Sequence, residues 1–214
     1  MTDERRRVIA AVSPIALIAV CRTAQYAAAP ALGVWAGLPT MLLFWAFIGA
    51  LILWLGGMKS VERWLRPAKG AGLWCLLAIA MGLLSLPGFV MHWQVLRSPT
   101  VLLLSLAFAL INPWFEEGYW RGVLLDATER WGAVLSVTYS AAWFAVSHPL
   151  IWGVHALALR HWVVLPVLAA VGVVWAVAYR RSGSLRWPIA GHMCSNVLGL
   201  SVPVLLNIHV PYGR

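Results

Sequence analysis

Two adjacent glutamates, Glu116 and Glu117, lie inside an apolar stretch of the chain, and Arg121 follows four residues after the second. Neighbouring carboxylates can divide acid-base work, because one can take a proton while the other holds a nearby group. On a helix, Glu117 and Arg121 share one face, with the carboxylate before the cation, which is the favourable order for an ion pair. Glu116 points about 100° away from that face and therefore serves a different target.

Two more polar pairs with helical spacing follow in the next long apolar segments. Phe144 and His148 are four residues apart in WFAVSHP, and so are His192 and Asn196 in GHMCSN. Side chains at this spacing share a helix face. Two histidines, an asparagine and two carboxylates in three consecutive segments of a compact bundle are expected to converge on one site. The alternative is that the acidic pair and its arginine form a buried structural ion-pair cluster.

The elements that position these residues are predicted from composition. The 214 residues are 62% hydrophobic, whereas soluble domains are about 45–50% apolar. Apolar runs of the length needed to cross a bilayer, about 17–25 residues, predict about seven transmembrane helices, and no alternating pattern of a β-barrel occurs. We therefore predict an all-α, polytopic helical bundle that forms a single domain over residues 1–214, with a motif-bearing core at about 100–208. The predicted spans are 8–29, 38–57, 71–92, 100–127, 131–149, 162–179 and 187–208.

The formal charge of +9 follows a membrane topology. The positive-inside rule places the N-terminus in the cytoplasm and the C-terminus outside, in a cell membrane, so the charge predicts no nucleic-acid partner. Only Arg97, Arg160 and Arg214 fall on the predicted outer side. The predicted inner side carries Arg5, Arg6, Arg7, Lys59, Arg63, Arg66, Lys69, Arg130, Arg180, Arg181 and Arg186.

Local signals refine this arrangement. Asn112 followed by Pro113 predicts a helix N-cap with proline at the first helical position. The two glutamates would then lie either in the first turns of a new helix, where the helix dipole favours anions, or just past a kink in a longer helix. Residues 149–161 predict an irregular connection.

Tryptophans near span ends predict an interfacial belt; they include Trp54, Trp64, Trp93, Trp162 and Trp187. The cysteines Cys21, Cys75 and Cys194 have no metal or disulfide spacing and are interpreted as buried small residues.

In this order, Glu-Glu-x-x-x-Arg, Phe-x-x-x-His and His-x-x-x-Asn resemble the three-motif signature of the CPBP family. That family comprises the CAAX prenyl proteases of the Ras-converting type and the bacteriocin-processing enzymes, also called glutamic-type intramembrane proteases. The flanking Arg-Gly and the segment YRRSGSLRWPIAGH are similar to the family as well, and the resemblance covers positions of about 112–200. The matching polar positions are Glu116, Glu117, Arg121, His148, His192 and Asn196.

The resemblance implies an endopeptidase that cleaves near the C-terminus of a membrane-associated or lipid-linked protein or peptide. Peptide hydrolysis needs a base for water and donors for the tetrahedral oxyanion. We assign water activation to Glu116, with or without His148, and the oxyanion donors to His192 and Asn196. Glu117 and Arg121 would hold the site. An exchange of roles between the two glutamates stays open at this stage.

Metal dependence has two readings. Glu116, His148 and His192 are an acceptable zinc set, but no HExxH motif occurs. Asparagine is a poor zinc ligand and a nearby guanidinium repels a cation, so we favour a mechanism without metal or other cofactor. The depth of the site is also open, and a cytoplasm-facing cavity would suit prenylated or other lipid-linked C-terminal peptides. A peptide precursor, a bacteriocin leader and a sorting-signal tail are further candidate substrates.

Two other classes of protein fit parts of the sequence. A transporter also uses intramembrane glutamate, histidine and arginine, although the repeated symmetry of many transporters is absent from the sequence. A non-enzymatic membrane partner, such as an immunity or assembly factor, would keep a related bundle but has little need of a complete catalytic set. The lipid bilayer is the expected partner in every reading, and the sequence leaves the oligomeric state open.

Overall fold

The computed structural model describes residues 2–211, which are mostly helical and contain no β-strand. This confirms the predicted all-α class; Arg214 lies outside the described residues. Two π-helical segments, Ile52–Gly56 and Gly118–Leu124, interrupt the regular helices. The α-helices are α1 (Asp3–Leu32), α2 (Gly37–Leu51), α3 (Met58–Trp64), α4 (Gly72–Leu83), α5 (Leu86–His92), α6 (Pro99–Glu117), α7 (Leu125–Ala127), α8 (Ala133–Ile151), α9 (Val164–Ser182), α10 (Arg186–Leu198) and α11 (Ser201–Leu205).

Within residues 2–211, five helical stretches are long and apolar enough to cross a membrane. The first contains both α1 and α2, which pack against each other. The predicted count of seven is not confirmed. The last apolar run is divided at Gly199 and Leu200, where Leu200 has a φ of 51°, and α10 has only 13 residues. A helix of that length covers about 20 Å of a hydrocarbon core about 30 Å thick. The five stretches are Asp3–Gly56, Gly72–Arg97, Pro99–Ala127, Ala133–Val154 and Val164–Ser182.

The loops gather at two ends of the bundle. At one end, the backbone nitrogen of Lys69 donates to the carbonyl of Ser182 at 3.0 Å, and that of Leu185 to the carbonyl of Trp64 at 2.8 Å. We call this end, with residues 58–71, 127–133 and 180–186, the basic face. It brings together loops that the charge pattern assigns to one side of the membrane.

Other connections meet at the far end of the bundle. The side chain of Asn207 bonds the backbone of both Leu157 and His155, each at 2.8 Å, and the rings of His92 and His209 lie 4.6 Å apart. We call this end, with residues 84–98, 152–163 and 199–211, the opposite face. The predicted irregular connection at 149–161 lies here: after α8 ends at Ile151, it consists of short 3-10 turns.

Of the two predicted arrangements, the new helix start is wrong: α6 continues without a break through Asn112 and Pro113, and the glutamates follow the proline in a longer helix. Membrane helices tolerate an internal proline because neighbouring groups compensate for the lost backbone bond. The true start is at Pro99, where proline takes a first-turn position. The irregular part of this stretch lies after the glutamates instead, in the π-helix Gly118–Leu124. The carboxylates therefore lie at the end of a helix, and side chains must stabilise them.

Helices α4 and α10 make a close backbone contact. A Cβ atom on Gly191 would collide with the carbonyl of Ala78, and one on Gly82 would collide with the carbonyl of Gly191. The indole nitrogen of Trp175 in α9 donates to the same Ala78 carbonyl at 3.0 Å. This contact fixes the position of the residue after Gly191, which is His192.

Of the five tryptophans predicted for the interfacial belt, four are exposed, as a belt requires, and Trp64 is buried. Trp54 and Trp162 are 58% and 74% exposed. Trp64 is only 2% exposed, and its ring fills the space beside Gly122, where a Cβ would approach it to 2.9 Å. The prediction for Trp64 is wrong because the ring packs inside the bundle, where its indole nitrogen donates to the carboxylate of Asp126.

Candidate active site

The structure brings the six motif residues together at the centre of the bundle. Four of them, Glu116, His148, His192 and Asn196, line one cavity of about 240 Å³. Glu117 and Arg121 are fully buried at 0% exposure and lie behind this group. Glu116 and Glu117 end α6, Arg121 lies in the following π-helix, His148 in α8, and His192 and Asn196 in α10.

Glu116 is oriented by a chain of two hydrogen bonds. The Nδ2 of Asn112 donates to Oε1 of Glu116 at 2.9 Å, and Nε1 of Trp45 donates to Oδ1 of Asn112 at 2.8 Å. Because an indole nitrogen can only donate, it fixes which end of the amide faces Glu116. The second oxygen, Oε2, is buried without a hydrogen-bond partner among residues 2–211.

Sequence reasoning missed both of these supporting residues. Asn112 precedes Glu116 by four residues, which is a usable signal for a side-chain pair on one helix face. The sequence analysis instead predicts a helix N-cap at Asn112. Trp45 is 67 residues away from Asn112, and no local pattern indicates their contact.

One carboxylate oxygen of Glu117 accepts two hydrogen bonds. Its Oε1 accepts from Nη1 of Arg121 at 3.0 Å and from Nδ1 of His192 at 2.8 Å. A carboxylate oxygen only accepts, so a proton on Nδ1 of His192 makes this bond.

An aromatic wall encloses the buried arginine. The Cζ of Arg121 lies 4.2 Å from the ring centre of Phe144 and 5.4 Å from that of Trp175. Trp175 also stacks on His192 at 4.7 Å with an interplanar angle of 25°. Cation-π contacts of this kind stabilise a guanidinium where water is excluded. Nε and Nη2 of Arg121 have no hydrogen-bond partner within the described part of the chain, so the aromatic rings supply much of its environment.

His148 is fixed through one ring nitrogen. Nδ1 lies 2.7 Å from the carbonyl oxygen of Phe144, and because that oxygen only accepts, Nδ1 is the donor. This bond leaves Nε2 as the nitrogen that can exchange a proton with a bound molecule. The ring of Phe144 packs edge-on against His148 at 4.8 Å, so the phenylalanine of the second motif orients the histidine through both its backbone and its side chain.

Asn196 presents an amide donor. Its Oδ1 accepts from the hydroxyl of Ser201 at 3.2 Å. Nδ2 is buried and has no partner among the residues that the structure describes. An amide nitrogen beside the carboxylate of Glu116 in one cavity gives the site a neutral donor and an acceptor.

Side chains that could bind a metal ion are histidines, cysteines and carboxylates. Within residues 2–211, no group of three His, Cys, Asp or Glu side chains has an arrangement that could hold a metal ion. One nitrogen of His192 is already bonded to Glu117. All three cysteines are free thiols, with Cys21 and Cys75 buried and Cys194 partly exposed.

A second polar cluster, centred on Asp126, lies near the basic face. Asp126 accepts from Arg63 at 2.7 Å, from the indole of Trp64 at 3.0 Å and from the hydroxyl of Tyr179 at 2.9 Å. These bonds join α3, α7 and α9. Sequence analysis treated Asp126 only as a residue at a helix end, and its partners are too distant in the chain to be predicted locally.

Fold and site together define a polytopic helical membrane protein with a buried polar centre of carboxylates, imidazoles and amide donors. The family model described as Type II CAAX prenyl endopeptidase Rce1-like matches residues 97–198. This segment carries all six motif residues, and the match confirms the resemblance seen in the motifs. Neither the curated proteins nor the solved structures gave a significant match.

Proposed function

We propose that the protein is an intramembrane endopeptidase of the CAAX type that hydrolyses a peptide bond near the C-terminus of a membrane-associated or lipid-linked protein or peptide. One observation carries the proposal. Oε2 of Glu116 and Nδ2 of Asn196 are both buried without a partner among residues 2–211, and both residues line the same cavity. An unpaired buried polar group costs about 1–3 kcal/mol, so a pair of them facing one cavity indicates that ligand groups complete the site.

The chemistry follows from these two groups. Glu116, held by Asn112, takes a proton from the attacking water while the water oxygen bonds to the peptide carbonyl carbon. The carbonyl electron pair moves to oxygen, and Nδ2 of Asn196 donates to that oxyanion. When the tetrahedral intermediate collapses, the C–N bond breaks and the leaving nitrogen takes the proton that Glu116 removed from water, either directly or relayed through Nε2 of His148. Each step conserves protons, and water is the only added reactant.

Glu117 has a positioning role in this scheme. It accepts the Nδ1 hydrogen of His192 and is itself paired with Arg121. By holding Nδ1, Glu117 orients the ring of His192 so that Nε2 is the nitrogen that can donate to the oxyanion. Because Glu116 lines the cavity whereas Glu117 lies behind it, we assign water activation to Glu116 and support to Glu117.

We further propose that water activation needs no metal. The buried guanidinium of Arg121, which is paired with Glu117 among the motif residues and would repel a cation, supports this reading. Prolonged chelation of the purified protein should leave turnover unchanged. Loss of activity together with one stoichiometric zinc ion, followed by recovery on zinc addition, would contradict it.

The position of the cavity bears on the substrate. Besides the motif residues, its lining includes Ser85, Leu159 and Pro211, which belong to the opposite face. If the basic face is cytoplasmic, as the charge pattern predicts, substrates reach the site from the bilayer or from the non-cytoplasmic side. We therefore propose C-terminal peptides at that side as substrates, in place of the cytoplasmic approach expected from the family.

Cysteine labelling tests this orientation. In a variant with the three native cysteines replaced by alanine, Ser85→Cys should react with a membrane-impermeant thiol reagent on intact cells. Ser60→Cys, in the basic face, is the matched control and should react only after the membrane is opened. The reverse pattern would place the cavity on the cytoplasmic side and restore cytoplasmic lipid-linked substrates.

The activity itself is tested by comparing peptides in membranes that carry the wild-type protein, Glu116→Gln or Glu62→Gln. Glu62 is an exposed glutamate outside the site, so both variants remove one carboxylate charge. We expect C-terminal fragments with the wild type and with Glu62→Gln, and their loss with Glu116→Gln. Identical peptides in all three membranes would reject the peptidase and favour a transporter or a non-enzymatic partner.

A further inference from the structure

A second, larger cavity of about 670 Å³ lies at the basic face, between the first turns of α1, helix α3 and the end of α9. We call it the basic cavity. None of the six motif residues lines it, so it is separate from the candidate active site. Its charged lining residues are Asp3, Arg6, Arg7, Arg63, Arg66, Lys69, Asp126 and Glu129.

The charges of this cavity are unbalanced. Five basic and three acidic residues give a net charge of +2. Arg63 is paired with Asp126 at 2.7 Å, but no other basic residue of the cavity forms an ion pair within residues 2–211. An arginine that only sets the membrane topology would have its side chain in water. Arg7 differs, because its Nη1 is buried and has no acceptor in the described chain. A buried guanidinium donor of this kind calls for an anionic acceptor.

The surroundings of the cavity indicate what kind of anion this is. Val8, Trp54 and Met58, which flank the lining residues along the chain, are 57%, 58% and 60% exposed. Apolar side chains exposed at the end of membrane helices contact acyl chains, while headgroups lie at the level of the basic loops. An anionic group with attached hydrocarbon chains matches both the basic residues of the cavity and the exposed apolar residues beside it. A soluble anion matches only the basic residues.

We propose that the basic cavity binds the phosphate headgroup of an anionic phospholipid. Arg7, Arg66 and Lys69 donate to the phosphate oxygens, and the chains lie along the exposed apolar residues. Arg63 is held by Asp126 and shapes the wall. The cavity also touches Gly122 and Val123, which belong to the π-helix that follows Glu117. The proposal does not depend on the peptidase activity.

Thermal unfolding of the full-length protein in a neutral detergent tests this site. Phosphatidylglycerol, phosphatidylcholine or inorganic phosphate is added, and unfolding is followed by tryptophan fluorescence. Two double variants are compared: R66Q/K69Q inside the cavity and R130Q/R181Q outside it. All four side chains are exposed and lie on the basic face, so each variant removes two positive charges from the same end of the bundle.

We expect phosphatidylglycerol at about ten times its Kd to raise the Tm of the wild type and of R130Q/R181Q by about 3–6 °C. R66Q/K69Q should need about 30-fold more lipid for the same shift. Phosphatidylcholine and inorganic phosphate should have little effect. An equal loss of response in both double variants would mean general attraction to a charged surface and would overturn the proposal. A phosphate shift as large as that of phosphatidylglycerol would assign the cavity to a free anion and overturn the lipid.

Native mass spectrometry gives a measure that does not depend on the stability of R66Q/K69Q. The wild type and R130Q/R181Q should each retain one anionic lipid, and Arg7→Gln, which removes the buried donor, should lose it. Retention of the same lipid by Arg7→Gln, or no retention by the wild type, would reject the site.

Discussion

The stretch from Pro99 to Ala127 carries two carboxylate centres that differ in an instructive way. Asp126, with a side chain 32% exposed, receives bonds from Arg63, Trp64 and Tyr179. Glu116 and Glu117 are 3% and 0% exposed, yet each keeps one oxygen without a hydrogen-bond partner within residues 2–211. The more accessible carboxylate is thus the better satisfied one.

Burial alone would predict the reverse, because an unpaired polar atom costs more where water is excluded. Asp126 has the partners of a structural joint between three helices, and its bonds are complete without a ligand. The glutamates are held on one oxygen each, which fixes their direction and leaves the other oxygen unused. The comparison teaches that the distribution of partners, and not the depth of the carboxylates, separates a structural joint from a polar centre that keeps unpaired atoms.

The largest effect is expected from Glu116→Gln. Loss of general acid-base assistance should reduce the turnover number by about 10²–10⁴-fold. The melting temperature should change little, because glutamine has the same shape and keeps the bond from Asn112. Turnover and thermal unfolding of the purified protein measure the two effects. Near-normal cleavage by Glu116→Gln would contradict the distinction between a reactive Glu116 and a structural Asp126.

Arg121→Ala is expected to act on stability. It leaves Glu117 buried with only His192 as a partner, and removal of one member of a buried pair typically destabilises a protein by about 3–5 kcal/mol. Unfolding by heat or denaturant in detergent measures this loss. Arg180→Ala is the control, since its only side-chain bond in the described chain is to Ser136 near the basic face. Equal stability of both variants would show that the Glu117 pair is not structural.

Asn196→Ala tests the donor side of the site. Removal of one oxyanion donor should lower the turnover number by about 10²–10³-fold with KM nearly unchanged, because the bond forms in the transition state. Ser201→Ala removes only the partner of the amide oxygen and should have a much smaller effect. A rise in KM at constant turnover number would instead assign Asn196 to substrate binding.

The smallest effect is expected from Asp126→Asn, the counterpart of Glu116→Gln in the other centre. The amide keeps the shape of the side chain but weakens the charged bonds from Arg63 and Trp64, which should cost about 1–3 kcal/mol of stability. Turnover per folded molecule should be retained. A loss of turnover without a loss of stability would contradict the role of Asp126 as a joint.

Much of the fold follows from the local pattern of the chain. The spans predicted at 131–149 and 162–179 correspond to Ala133–Ile151 and Val164–Ser182, because their apolar runs end at basic or turn residues. The i,i+4 pair of Glu117 and Arg121 was predictable for the same reason. The roles assigned to the site residues stay predictions that the variants above address.

Other features depend on residues far apart in the sequence. The bonds from Trp45 to Asn112 and from Trp64 to Asp126 join residues 67 and 62 positions apart, and only packing brings them together. The same packing explains the wrong helix start at Asn112. A local capping preference of about 1 kcal/mol is outweighed when the side chain finds an indole donor and a carboxylate acceptor in the bundle interior.

The close contact of Gly82 and Gly191 also bears on motion. Helices whose backbones touch cannot slide without breaking many contacts at once, so α4 and α10 are expected to move as one rigid unit that carries His192 and Asn196. We expect amide hydrogen exchange to be slow throughout α4 and α10.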